Sequence, residues 1–140
     1  MYGDLNLMRQ NMVNWQLLPN NITQPRLIKA YSELKRENFI ASKDAMRAYV
    51  DEQHTVKEGR MLMRPLAMAK LIQLLELEPP MKVLDVAAGF GYSSCVLSYL
   101  VQSVVSLEIP ELYPDLKERI DASELTNIVS VSGGLELGVP

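Results

Sequence analysis

The 140-residue sequence predicts an α/β fold in which helices lead into a parallel sheet. Three observations carry that expectation. After Pro80, short apolar runs at 82–86, 104–107 and 127–131 alternate with segments of helical length. An Ala/Gly-rich turn follows the first run directly. Before Pro80, apolar residues recur at spacings of three and four, the period of an amphipathic helix. The chain therefore divides into an N-terminal helical region, 1–80, and the first half of a sheet domain, 81–140.

Leu5, Met8, Met12 and Trp15 form the stripe of a first helix, and Trp15 is expected in the core. Pro19, Asn20 and Asn21 interrupt it. Thr23 is placed to cap a second helix, with Pro25 in its first turn and Leu27, Ile28, Tyr31 and Leu34 facing inward. Lys35 to Gly59 is a polar segment, in which His54, beside Glu52 and Gln53, is expected as a solvated loop histidine. Pro65 opens a third helix that runs to about Leu77, before Pro79-Pro80. Lys82–Val86 is the first strand, a helix follows from Tyr92 to Val101, and Val104–Leu107 is the second strand. Pro110 and Pro114 start another helix, with Leu116 and Ile120 on its inner face. Asn127–Val131 is the third strand, and the chain stops nine residues later at Pro140.

Composition removes several function classes. With 14 Lys+Arg against 17 Asp+Glu, the net charge of -3 lacks the basic excess of a nucleic-acid footprint. A single cysteine, Cys95, excludes an internal disulfide framework and suits a reducing, cytoplasmic compartment. Cys95 itself, beside Val96 and Leu97, is expected as a buried small hydrophobe. Met1-Tyr2-Gly3-Asp4 has neither the basic nor the apolar region of a secretory leader. Val86 to Leu107 is 22 residues without a charge, long enough to span a bilayer. Its serines, its glycines and its acidic flanks argue against a membrane helix and for strand, loop, helix and strand. No metal-ligand spacing is present.

The chemistry concentrates in Asp85-Val86-Ala87-Ala88-Gly89-Phe90-Gly91-Tyr92. Small residues there let a ligand approach the backbone, and the following helix start favours an anionic group. Glu108 ends the next strand, 17 residues after Gly91, where a carboxylate can accept both hydroxyls of a ribose. Together they describe a site for an adenosine-containing cofactor. A dinucleotide fingerprint would want glycine where Ser94 stands, and the Gly-Lys-Ser/Thr of a phosphate loop is absent. Asp85 followed by Ala-x-Gly-x-Gly suits S-adenosylmethionine better. A nicotinamide-dinucleotide domain remains a weaker alternative. A tight turn whose glycines only permit packing is the plainer one.

These residues resemble the protein-L-isoaspartate O-methyltransferase family, in particular its bacterial isoaspartyl-methyltransferase-like branch, over nearly the whole chain. Asn11-Met12-Val13 and Gln16-Leu17 look like its opening helix. Arg36-Glu37-Asn38-Phe39 resembles its Arg-Glu-x-Phe signature, and Ala48-Tyr49-Val50-Asp51 its Ala-Tyr-x-Asp. Val83 to Tyr92 with Cys95-Val96-Leu97 is similar to methyltransferase motif I, and Val104 to Glu108 to the strand ending in the ribose-binding acid. The resemblance implies a Rossmann-like S-adenosylmethionine-dependent methyltransferase fold, here truncated after its third strand. It implies a protein-repair enzyme acting on isoaspartyl-containing proteins or peptides, whose carboxylate attacks the cofactor's methyl group in line. Such chemistry asks mainly for positioning and exclusion of water. Cofactor-binding positions carried over are Asp85, Ala87, Gly89, Gly91, Tyr92, Glu108 and Gly134.

The sequence departs from the family pattern at several of these places. Counting back from Pro65, Met61 and Met63 stand on the substrate side where the family carries Thr and Ser, and thioethers cannot donate a hydrogen bond. Ala87 replaces a usual glycine. Gly133-Gly134 stands where the family has Gly-Asp, whose Asp helps hold the adenine amine. The strand that would pair back beside strand one, forming the ligand crevice, is expected beyond Pro140. Missing C-terminal chain, an oligomeric partner or the N-terminal region is expected to cover that edge. Cofactor binding by the 140 residues alone is expected to be weak or absent. The alternative function is a non-catalytic or truncated methyltransferase-like module with an interaction or structural role.

Overall fold

The computed structural model describes residues 4–57 and 59–140. The leader expectation at Met1–Gly3 lies outside those residues. Helix α1, Leu5–Met12, starts at Asp4, whose carboxylate accepts from the amides of Asn6 (2.9 Å) and Leu7 (3.4 Å). Met12 is buried as its period requires, but Val13–Leu17 continues as a π-helical turn. The i→i+5 turn rotates the stripe, so Val13 and Leu17 enter the core and Trp15 is 74% exposed. The expectation of a core Trp15 is thereby corrected.

Helix α2, Pro25–Glu33, is capped by the Gln24 side chain, whose Oε1 accepts from Arg26 and Leu27. Thr23 does not cap it. Its amide, with that of Gln24, donates to Gln73 Oε1 of α3, Pro65–Leu74. The third helix thus ends three residues earlier than expected and holds the turn before the second. Between them lie two 3₁₀ segments, Arg36–Phe39 and Ser42–Arg47, and a hairpin absent from the sequence reading. In that hairpin β1, His54–Thr55, runs antiparallel to β2, Met61–Leu62. His54 is 5% exposed, not a solvated loop residue, because its strand pairing with Leu62 turns it inward.

After Pro80 the expected alternation is present. Strands β3 (Lys82–Val86), β4 (Ser103–Glu108) and β5 (Ile128–Ser132) form one parallel sheet in the order β3-β4-β5. Helix α4, Tyr92–Ser98, stops short of Val101, and α5 spans Tyr113–Ala122. The Asn127 side chain donates from Nδ2 to the carbonyls of Ser98 (2.9 Å) and Val101 (3.3 Å), tying this end of the helix to the start of β5. The uncharged stretch 86–107 is divided among loop, α4 and β4. Among the described residues no helix is long and apolar enough to cross a membrane.

One continuous apolar core runs from Met12, Leu27 and Tyr31 through Met68 and Ile72 to Val96, Leu100 and Leu116. The outer edge of β3 pairs with no other strand among the described residues, and Leu84 and Val86 stay 43% and 45% exposed. Among the described residues, no strand of the N-terminal region pairs with that edge.

Candidate active site

The loop after β3 hangs on the end of β4. The amides of Ala87 (3.0 Å) and Ala88 (3.3 Å) donate to the Leu107 carbonyl. Three of its residues take positive φ: Ala87 at 63°, Gly89 at 62° and Gly91 at 97°. Gly91 is further constrained by α5, because a Cβ there would stand 2.8 Å from Ile120 Cδ1 and 3.0 Å from Leu116 Cδ1. Ala87 carries a Cβ in a conformation that costs an L-residue about 1–2 kcal/mol.

Asp85 points back toward the start of α4, where its Oδ2 accepts from the hydroxyls of Ser93 (2.6 Å) and Ser94 (2.7 Å). Ser94, standing where a dinucleotide fingerprint wants glycine, is therefore a positioning group, and Ser106 of β4 donates to it in turn. Burial pushes the Asp85 carboxyl above its usual range. The two serine hydrogen bonds oppose that rise, and the nearby Glu108 charge adds to it. Cys95, buried behind this helix start, has its thiol pushed up to about 12 by burial and is no nucleophile at neutral pH.

Glu108 is fully buried at the end of β4, and each carboxylate oxygen accepts two hydrogen bonds. Oε2 takes the Gly89 amide (2.8 Å) and Arg60 Nε (2.9 Å); Oε1 takes the Ile109 amide (2.9 Å) and Arg60 Nη2 (2.8 Å). Burial alone would raise this carboxyl. The Arg60 hydrogen bonds, the Ile109 and Gly89 amides and the Arg60 charge outweigh it and hold it below 4.5. Arg60 is the Glu108 partner that the sequence did not reveal. It lies 48 positions before Glu108, and no local pattern links the two.

A cavity of about 300 Å³ opens against the glycine loop. Asp85, Ala87, Gly89, Gly91 and Tyr92 line it together with Arg60, and Met61, Met63 and Met68 form part of an apolar wall with residues of α3. The structure therefore brings the loop positions and the two methionines expected on the substrate side around one space, whereas Glu108, fully buried, sits behind the loop and is not among the lining residues. Tyr92 is buried, its ring packed edge-on against Tyr31 (5.8 Å) and Phe39 (5.5 Å), so its main contacts are with the core. Gly134 lies beyond β5, outside the cavity wall, and the Glu136 carboxylate occupies the space a side chain there would need: a Cβ would stand 2.8 Å from Oε1.

The two N-terminal signatures hold the substrate-side segment. Arg36, completely buried, donates from Nε to the Ala48 carbonyl (2.7 Å) and from Nη2 to the Met63 carbonyl (3.0 Å). Tyr49 Oη accepts from the Arg36 amide (3.1 Å) and from Arg9 (3.2 Å), and donates to Glu37. Asp51 Oδ1 accepts the Leu66 amide (3.1 Å) at the start of α3. Residues 60–66 are thereby fixed across the cavity from the glycine loop.

The sequence profile described as protein-L-isoaspartate(D-aspartate) O-methyltransferase matches residues 8–140. The chain belongs to this family. Its relatives include the protein-L-isoaspartate O-methyltransferase of Protochlamydia amoebophila, 34% identical over 125 residues, covering 88% of this chain and 60% of the relative. That of Geotalea uraniireducens is 32% identical over 133 residues, covering 94% of this chain and 61% of the relative. A solved protein-L-isoaspartate O-methyltransferase superposes with a TM-score of 0.82 at 26% identity, over 94% of this chain and 44% of that one. The fold is thus the Rossmann-like methyltransferase fold with N-terminal helices, of a family that uses S-adenosylmethionine. The chain spans about 60% of the length of these curated relatives.

Proposed function

We propose that this chain carries the cofactor-binding half and the acceptor-side wall of an S-adenosylmethionine-dependent O-methyltransferase acting on isoaspartyl carboxylates in protein repair. Residues 81–140 supply the cofactor side and residues 1–80 the acceptor side. The observation that carries this reading is Glu108. Its carboxylate is aligned at the end of β4 by the Gly89 and Ile109 amides, beside a loop with no side chain at residues 89 and 91. The two amides fix the direction of the carboxylate's other two lone-pair positions, which Arg60 fills in this structure and which suit the paired hydroxyls of a ribose in its place. The glycines allow close approach of the cofactor, and the donor set fits it.

S-adenosylmethionine would supply an activated methyl group at a sulfonium. The chain's own residues orient and exclude water. Glu108 fixes the ribose, and the glycine loop sets the depth of the cofactor. Met61, Met63 and Met68 line an apolar wall that keeps water from a carboxylate acceptor. An ionised carboxylate is already a nucleophile, so proximity and desolvation are the main demands on the protein. The setting we assign is cytoplasmic, where the lone buried Cys95 stays reduced.

Calorimetric titration of S-adenosylhomocysteine into a form extended to the relatives' length tests this reading. Binding should weaken at least tenfold in Glu108→Ala, about 1.4 kcal/mol. Undiminished affinity in that variant would sink the assignment. A module without catalysis is the second reading, favoured by Met61 and Met63, which offer the acceptor no hydrogen-bond donor. Methyl transfer to an isoaspartyl peptide would refute it.

A further inference from the structure

Glu108 is saturated. Its four hydrogen bonds fill the four lone-pair positions of a carboxylate, two of them with backbone amides and two with Arg60. The amides belong to the sheet end and the glycine loop and cannot leave without unravelling them. The two N–H groups of Arg60 can leave, because the side chain is 23% exposed and reaches in from the hairpin segment that precedes Met61. Its two parallel donors offer the carboxylate the same pattern as the two hydroxyls of a vicinal diol. A diol therefore binds Glu108 only by replacing Arg60.

The displaced guanidinium stays tethered at the cavity it lines. Its stem packs at the glycine loop, where a Cβ on Gly89 would lie 4.0 Å from Arg60 Cβ. Arg60 and Asp85 are the only charged side chains among the described residues lining the cavity, and Asp85 is engaged by Ser93 and Ser94. Met61 and Met63 provide no donor. A carboxylate entering this space thus meets a single cation, available only once Glu108 has been handed to the diol.

We propose that Arg60 is the residue that binds the acceptor's carboxylate, and that it is released for this task when the ribose diol replaces it on Glu108. The assignment rests on the ribose reading of Glu108 given above. It makes binding ordered, cofactor before acceptor, and it keeps the carboxylate-binding cation masked in the empty chain.

Nuclear magnetic resonance titrations on the ¹⁵N-labelled chain test it at millimolar ligand, where weak binding is still measured. Adenosine should shift the Arg60 Nε–H signal together with the Gly89 and Ile109 amides, whereas 2′-deoxyadenosine, with one hydroxyl fewer on the ribose, should leave Arg60 in place. Arg60→Gln should bind adenosine about fivefold more tightly than the unsubstituted chain, since the competing donor pair is gone. An isoaspartyl peptide should bind the unsubstituted chain about fivefold or more tightly when adenosine is present, and Arg60→Gln should lose that gain. If adenosine moves the Gly89 and Ile109 amides but not Arg60, the exchange is overturned while the ribose site stands. If adenosine moves none of the three, the ribose reading fails and the inference with it. If S-adenosylhomocysteine, which carries its own carboxylate, abolishes the gain that adenosine produces, Arg60 serves the cofactor and the acceptor assignment is wrong.

Discussion

A methyl group on Gly91 would stand 2.8 Å from Cδ1 of Ile120, inside the contact limit of two carbon atoms. The loop that would hold the cofactor is thus packed directly against α5, and its shape depends on a helix more than twenty residues away in the chain. Gly91→Ala combines that overlap with a φ of 97°, and each effect costs about 1–3 kcal/mol. We expect urea unfolding to show a loss of about 3 kcal/mol. Ile120→Val removes the clashing Cδ1, so adding it to Gly91→Ala should restore part of the loss; no recovery would contradict the packing account.

Arg36 is a buried cation with no carboxylate partner among its hydrogen bonds. The Ala48 and Met63 carbonyls hold it, and its guanidinium lies 5.0 Å from the Tyr92 ring centroid. Arg36→Met should remove the anchor of the substrate-side segment and leave both carbonyls unpaired, at a cost of about 2–4 kcal/mol. Arg36→Lys should recover little, because an ammonium cannot span both carbonyls in the fork geometry of guanidinium. Chemical denaturation of the two variants checks this, and full stability of the Lys variant would overturn it.

Asp85 gives the chain a pH dependence of predictable sign. Its carboxyl is raised in the folded chain by burial, against the two serine hydrogen bonds, so ionisation there opposes folding. That penalty is absent below the ordinary value of 3.8 and fully present above the raised folded value. Asp85→Asn keeps one oxygen to accept both hydroxyls and carries no charge. Its stability relative to the unsubstituted chain should therefore be greatest near pH 7 and shrink as the pH falls toward 4. Thermal unfolding across that range measures the difference, and a gap that widens in acid would reverse the assignment.

Much of the architecture was legible from local patterns. The three strands lie within one residue of where periodicity and turn chemistry put them, and α3 and α4 each end three residues early. The errors share a cause. Trp15 left the core because a π-turn, invisible to a fixed 3.6-residue period, rotated the stripe. Gln24 capped α2 in place of Thr23, and Gln73, fifty residues on from Thr23, took the amides of both. His54 was buried by a two-residue pairing too short to leave a pattern. The substrate-side and cofactor-side assignments came from resemblance, and the structure places Asp85, the glycine loop, Met61 and Met63 around one cavity.

By itself, the sequence determined the fold class, the position of the glycine loop and the acidic end of β4. Those depend on residues close together in the chain, where alternation, helical period and glycine conformational freedom act directly. Only the tertiary structure decided which partners the charged groups take. Packing brings Arg60 from the hairpin to Glu108 and Arg36 to the carbonyls of Ala48 and Met63. Buried charges must find donors and acceptors wherever the fold places them, and chain distance has no part in that choice.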